Sequence, residues 1–222
     1  MKIATWNIER LKHKKNIYEI LRICNELQAD ILVLTETDEQ VRPNFRYEFH
    51  TEKVIDTQVK YNPTENRVSI YTNYPCVARH ETFDKYTAVC VEIKTEYGNI
   101  LVYGTVIGVL GGRNSQYDEE VRNNMRDIRR LSKLGNICVC GDYNCSFSDS
   151  YYFTKKARKE IKATFEDNGI SILTEEHSQC IDHIAISTNL IACKEPSIIE
   201  WNVDKRLSDH KGIMVDMNIS YE

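Results

Sequence analysis

The chain has 222 residues, 41% of them apolar, with 33 acidic against 29 basic side chains and a formal net charge of −4 at pH 7. That length can bury one substantial core and no Gly/Ser/Pro-rich linker divides it, so a single domain over residues 1–222 is expected. The charge balance gives no global attraction to nucleic acid, and no run approaches the roughly 20 apolar residues of a membrane span.

Residues 3–9, Ile-Ala-Thr-Trp-Asn-Ile-Glu, read as a strand with Asn7 and Glu9 on one face, opposite Ile8. Residues 16–27 place Ile17, Ile20, Leu21, Cys24 and Leu27 on one helical stripe. The strand 31–34 then runs straight into Thr35-Glu36. Between residues 67 and 107 the runs 68–71, 87–91 and 100–103 alternate with turn-prone Asn73-Tyr74-Pro75 and Tyr97-Gly98-Asn99, the pattern of a meander. An amphipathic helix over 117–134 turns Val121, Met125, Ile128 and Leu131 inward. Mixed strands with helices between them favour α/β layers.

Polar residues recur where these strands end. The buried run 137–140 meets Gly141, beyond which Asp142 and Asn144, two apart, project to one side. A carboxylate there can orient or deprotonate water, and a neighbouring amide can donate to a phosphate oxygen. Residues 180–186 embed Asp182 and His183 in an otherwise apolar strand, where an unpaired charge is costly. The string Ser208-Asp209-His210-Lys211-Gly212 closes the set. The eight cysteines lack a CxxC pair and lie mostly in apolar runs, as reduced core residues do. Met1-Lys2-Ile3-Ala4 lacks the apolar region of a secretion signal, and the sequence reads as a cytoplasmic protein.

Five pieces in order, Thr5-Trp6-Asn7-Ile8-Glu9, Thr35-Glu36-Thr37, Gly141-Asp142-Tyr143-Asn144, Ile181-Asp182-His183-Ile184 and Ser208-Asp209-His210, resemble the endonuclease/exonuclease/phosphatase superfamily over nearly the whole chain. The resemblance implies a deoxyribonuclease-like four-layer α/β sandwich, two packed mixed β-sheets flanked by helices. It implies Glu36 as the principal metal ligand, with Asn7, Glu9 and Asp209 completing or bordering a Mg²⁺ or Mn²⁺ site of hard oxygen donors. It further implies Asp142 as the water-activating carboxylate, Asn144 as the phosphate-orienting amide, and Asp182 as the partner that fixes the imidazole of His210. The implied activity is metal-assisted attack of water on a phosphate, by a phosphodiesterase or nuclease acting on nucleic acid, a nucleotide or a small phosphodiester.

One departure stands out. Where the family commonly places a His or Tyr after the strand 100–103, this chain reads Gly104-Thr105-Val106-Ile107-Gly108, leaving Thr105 or Tyr103 as substitutes for a phosphate contact. Two other readings therefore stay open: a non-catalytic phosphate- or nucleic-acid-binding module that keeps the fold, and a phosphomonoesterase of a small phosphorylated metabolite. The basic runs 12–15 and 155–159 read as solvated helix faces or phosphate contacts. Gly111-Gly112-Arg113-Asn114, Lys205 and Arg206 are further phosphate candidates.

Overall fold

The computed structural model describes residues 1–54, 61–109, 113–191 and 195–217. Twelve strands form two six-stranded sheets among the described residues. The first contains β1 (Lys2–Asn7), β2 (Ile31–Asp38), β3 (Tyr47–His50), β4 (Glu65–Thr72), β11 (Ser197–Trp201) and β12 (Gly212–Asp216), in the order β11-β12-β1-β2-β4-β3. The second contains β5 (Cys76–His80), β6 (Ala88–Thr95), β7 (Gly98–Val106), β8 (Asn136–Asp142), β9 (Ile170–Ile172) and β10 (Asp182–Ser187), in the order β5-β6-β7-β8-β10-β9.

Each sheet has one parallel pair, β1–β2 and β7–β8, and each pair is joined through a helix because a parallel connection needs a crossover. Helix α1 (Ile17–Glu26) serves the first pair and α2 (Ser115–Leu131) the second. Asn114 caps α2, its side-chain oxygen accepting from the backbone N–H groups of Gln116 and Tyr117. A third helix, α3 (Lys155–Asp167), packs beside α2.

Strand alternation sorts the side chains into three cores. Ile3, Ile31, Val33, Val68, Ile70, Val102 and Ile184 fill the space between the sheets. Trp6, Ile20, Cys24, Leu32 and Leu34 lie on the α1 side, and Tyr103, Val121, Ile128, Val139 and Phe165 on the side of α2 and α3. Helix, sheet, sheet and helix make the four layers of a deoxyribonuclease-like sandwich.

Three expectations need correction. Glu9 is not on a strand: β1 ends at Asn7, and Glu9, Arg10 and Leu11 turn through left-handed backbone at φ 52°, 52° and 51°. Nor is the 67–107 region one meander, because β4 pairs with β2 and β3 in the first sheet while β5, β6 and β7 run in the second. The second helix stops at Leu131, and Leu134 beyond it is exposed because it falls off the buried stripe. No helix among the described residues is long and apolar enough to cross a membrane.

Candidate active site

Register brings the polar strand ends together. Asn7 ends β1 and Asp142 ends β8, while Asp182 opens β10 directly opposite Asp142 in the antiparallel ladder. β12 pairs antiparallel with β1, so the 208–210 turn that precedes it falls beside Asn7. Gly141 makes the β8 end possible. It lies at φ 137°, and a Cβ there would stand 1.9 Å from the Thr105 carbonyl oxygen, so only glycine fits.

Asp142 is buried and held on both oxygens. Its Oδ1 accepts from the Asn144 backbone N–H at 2.8 Å; its Oδ2 accepts from Asn7 Nδ2 at 3.1 Å and Asn144 Nδ2 at 3.2 Å. Burial pushes its pKa up to about 7; the nearby Asp182 and Glu36 carboxylates add to this, and His210 and the Asn144 N–H oppose it. Asn144 sits at φ 48° and gives its other amide hydrogen to the Ile107 carbonyl at 2.8 Å. Its amide is thus engaged in fixing the carboxylate.

His210 bridges the two sheets. Its Nδ1 donates to Asp182 Oδ2 at 2.6 Å, and its Nε2 faces Asp142 Oδ2 at 4.0 Å and Asp209 Oδ1 at 3.7 Å. Burial works against the imidazolium, yet Asp182, Asp142 and Asp209 outweigh it and raise the pKa to about 10. His210 is therefore a cation at neutral pH with one N–H aimed into the cleft.

Backbone contacts hold this histidine in place. Trp6 Nε1 donates to the His210 carbonyl at 3.1 Å, Ser208 Oγ donates to the Asn7 carbonyl at 2.6 Å, and the His210 N–H returns to Ser208 Oγ at 3.1 Å. Asn202 gives both amide hydrogens to the carbonyls of Ser208 and His210 at 2.8 and 2.7 Å. Its oxygen accepts from the Leu207 N–H. Asn202 is the member of this group that motif reading missed, and its only local mark is a left-handed φ of 52°.

Glu36 ends the straight part of β2 at φ 46° and is half-buried. Burial raises its pKa, against the His210 and Lys12 charges and the Asn7 hydrogen bond. Glu9 has a different surrounding: its carboxylate receives Lys12 Nζ at 2.8 Å and the Asp209 backbone N–H at 3.1 Å. Burial opposes that charge, but those donors keep its pKa below the usual range. Glu9 thus tethers the turn carrying Asp209, whose own side chain is exposed.

The same rim gathers groups that can ligate a cation. Asp142, Asp182 and His210 offer ligand atoms within 4.8 Å of one another, but a protonated imidazole has no lone pair to give. Glu36 adds a carboxylate within electrostatic reach of Asp142, Asp209 and His210, although no set that includes it is as closely spaced among the described residues. The carboxylates of Glu36, Asp142 and Asp209 outnumber the facing cations His210 and Lys12 and offer hard oxygens, and Asp182 Oδ1 is buried with no hydrogen-bond partner among the described residues. The residues present fit a divalent ion.

Neither substitute for the missing His or Tyr reaches the cleft. Thr105 Oγ1 donates to Asn124 Oδ1 at 2.7 Å, and the Tyr103 hydroxyl lies 3.0 Å from Asn124 Oδ1 and 3.2 Å from Asp127 Oδ2, both beneath α2. Strand alternation points them there. Among the basic candidates, Arg206 pairs with Glu19 and Lys156 with Asp118, Arg113 donates to the Phe153 carbonyl, and Lys205 donates to the Tyr151 hydroxyl. Gly111 and Gly112 lie outside the described residues.

Two packed mixed sheets with a carboxylate-rich rim at one end define the architecture of a metal-dependent phosphoesterase. The chain belongs to the endonuclease/exonuclease/phosphatase family, whose model matches residues 4–210. Among solved structures it is similar to an endonuclease/exonuclease/phosphatase from Beutenbergia cavernae, at TM-score 0.72 and 13% identity, covering 99% of this chain and 72% of that one. It is also similar to an AP endonuclease from Archaeoglobus fulgidus (TM-score 0.66, 14% identity, 99% and 100% covered). A humanized D. rerio TDP2 matches at TM-score 0.62 and 14% identity, with 97% of each chain covered. At these identities the likeness is one of fold. No curated protein gives a significant match to the sequence.

Proposed function

We propose that this protein is a divalent-cation-dependent phosphodiester hydrolase of the nuclease type. One observation carries the reading: His210, a cation through its 2.6 Å bond to Asp182, directs its Nε2 toward the same cleft as the amide-clamped carboxylate of Asp142. A base of pKa about 7 and a fixed imidazolium are complementary needs of water attack on a phosphodiester.

In this reading Asp142 accepts the proton of the attacking water, and Asn7 and Asn144 hold that carboxylate in position. His210 donates to a non-bridging phosphate oxygen as charge builds there, and Asp182 keeps it protonated. Glu36 would hold the divalent ion, with Asp209 bordering it and Glu9 setting the Asp209 turn. Mg²⁺ or Mn²⁺ suits those oxygens, and the ion supplies neutralisation of the phosphoryl charge. With Tyr103 and Thr105 committed under α2, the leaving group departs without a proton from β7. That favours substrates with good leaving groups. Free thiols at Cys24, Cys90, Cys138, Cys140 and Cys180 suit a reducing compartment such as the cytoplasm.

The test is hydrolysis of a nitrophenyl phosphodiester, single-stranded and duplex DNA, RNA and inositol phosphates with Mg²⁺ or Mn²⁺. Turnover that His210→Ala and Asp142→Asn both abolish supports the enzyme. The buried positions of Tyr103 and Thr105 favour one competing reading, a phosphate-binding module. It would bind these ligands and hydrolyse none.

A further inference from the structure

The segment after Asn144 carries three successive aromatic residues, Tyr151, Tyr152 and Phe153, and each meets a cation. The Arg113 guanidinium lies over the Tyr152 ring at 4.4 Å and that of Arg158 over Phe153 at 3.7 Å, so both rings are capped. Tyr151 differs. Lys205 Nζ is 2.7 Å from its hydroxyl and 5.0 Å from its ring centre, which places the ammonium off the hydroxyl edge and leaves ring surface open. The residue is 44% exposed.

The open ring stands beside the candidate catalytic groups. Tyr151 and Lys205 line one small concavity with Asp182, Asp209, His210 and Lys211. Lys211 is engaged with Glu200 and the Ser178 carbonyl, whereas Lys205 pairs with no carboxylate among the described residues. Its ammonium is free to exchange the phenol for an anionic oxygen.

Both sides of this pair are built in place. Asp149 fixes the Tyr151 side, accepting from the Tyr151 N–H at 3.0 Å, the Gln179 N–H at 2.6 Å and the Ser146 hydroxyl. Arg158 ties the segment further by donating to the Ser146 and Asp149 carbonyls. On the other side the Lys205 N–H donates to the carbonyl of Asn202, the residue that also holds the His210 carbonyl. Lys205 and His210 thus sit on one braced turn.

We propose that Tyr151 and Lys205 form a nucleotide subsite of a single-stranded nucleic acid, in which the base beside the reacting phosphate stacks on the Tyr151 ring and Lys205 pairs with an adjacent phosphate oxygen. An open aromatic face accepts any base, and a lone ammonium reads the backbone without sequence preference. In a duplex the same base is stacked between its neighbours, so the subsite favours single strands and frayed ends. The proposal rests on the phosphodiesterase reading for its placement, but it concerns binding and is tested without turnover.

The probe is a short single-stranded oligonucleotide carrying the fluorescent base 2-aminopurine, titrated with full-length protein in the presence of Ca²⁺ or of EDTA. Stacking predicts quenching on binding. Tyr151→Ala should weaken binding about tenfold and abolish the quenching, whereas Tyr151→Phe keeps both. Lys205→Ala should weaken binding and lower the slope of log Kd against log salt by about 0.7, the value for one phosphate contact on a single strand. Circular dichroism confirms that each variant is folded. Quenching and affinity unchanged in Tyr151→Ala, or duplex bound as tightly as single strand by the parent, would overturn the subsite. Oligonucleotide binding with these responses but no hydrolysis would leave the subsite standing and remove the enzyme reading.

Discussion

Asp142 and Asp182 are direct partners across the β8–β10 ladder, and one imidazole from the other sheet lies 2.6 Å from Asp182 and 4.0 Å from Asp142. Two carboxylates that face each other in a buried setting repel, and the His210 cation makes their closeness tolerable. The two carboxylates thereby acquire separate characters, one bound to the cation and one pushed up to about 7.

Activity should follow from that division. In the proposed mechanism Asp142 must be ionised to take a proton, so kcat/KM should rise as pH passes about 7, and a divalent ion held at Glu36 would draw this limb lower. His210 must stay protonated, so the rate falls as pH passes about 10. Asp182→Asn removes the main support of that proton, and the alkaline limb should move down by roughly a unit or more, with a rate loss of about 10²–10⁴. Rate profiles of parent and variant against pH are the measurement; coincident alkaline limbs would contradict the assignment.

Glu36→Gln separates metal binding from folding. Burial disfavours the Glu36 charge, so the neutral side chain should leave Tm in EDTA unchanged or slightly higher. Excess Mg²⁺ or Mn²⁺ should raise the Tm of the parent, and that rise should largely vanish in the variant. Thermal unfolding with and without the ion tests both statements.

Asn202→Ala should impair both stability and catalysis. It releases the Ser208 and His210 carbonyls and the Leu207 N–H at a partly buried turn, costing about 1–3 kcal/mol. Displacing His210 should lower kcat at least about tenfold while KM moves less. If kcat is unaltered, the turn is braced by other contacts.

His183 offers a test of stability against pH away from the cleft. It is buried and neutral, its Nε2–H donating to the Cys145 carbonyl at 3.0 Å and its Nδ1 accepting from Thr174 at 2.9 Å, and burial lowers its pKa to about 4. The unfolded residue takes up a proton near 6.5, so the neutral form's contribution is complete above that pH and is lost as pH falls toward 4. The loss is about 3 kcal/mol, at 1.36 kcal/mol per unit. Denaturant titrations at pH 7 and pH 4.5 should show a smaller drop in His183→Gln than in the parent.

Much of this arrangement could be read from strand ends. The run 137–140 before Gly141-Asp142, and an acid and an imidazole within residues 180–186, mark polar groups at the limits of buried strands, because such strands tolerate charge only at their margins. Glu9 leaves the strand because three consecutive left-handed residues break the period-two alternation that a strand requires. The passage from β4 to β5 changes sheets at the turn-prone Asn73-Tyr74-Pro75, a signal that does not distinguish a crossing between sheets from a hairpin. The fate of Tyr103 depends on contacts with α2 distant in sequence, and Asn202, though it holds a turn only a few residues on, belongs to no motif that marks it.

β1 lies between β2 and β12, so among the described strands the first in sequence is completed by the last, with Lys2 opposite Asp216 and the Met1 nitrogen donating to the Met217 carbonyl. Pairing across so long a span is slow, since the loop must close before its contacts repay it. Without the β1–β12 pairing the chain still holds Asn7, Glu36, Asp142 and Asp182 but lacks the contact that seats the 208–210 turn, and with it His210, beside them. In the proposed reading the cleft is therefore a product of long-range closure, and any change that loosens β12 from β1 reaches the imidazole before it reaches the carboxylates.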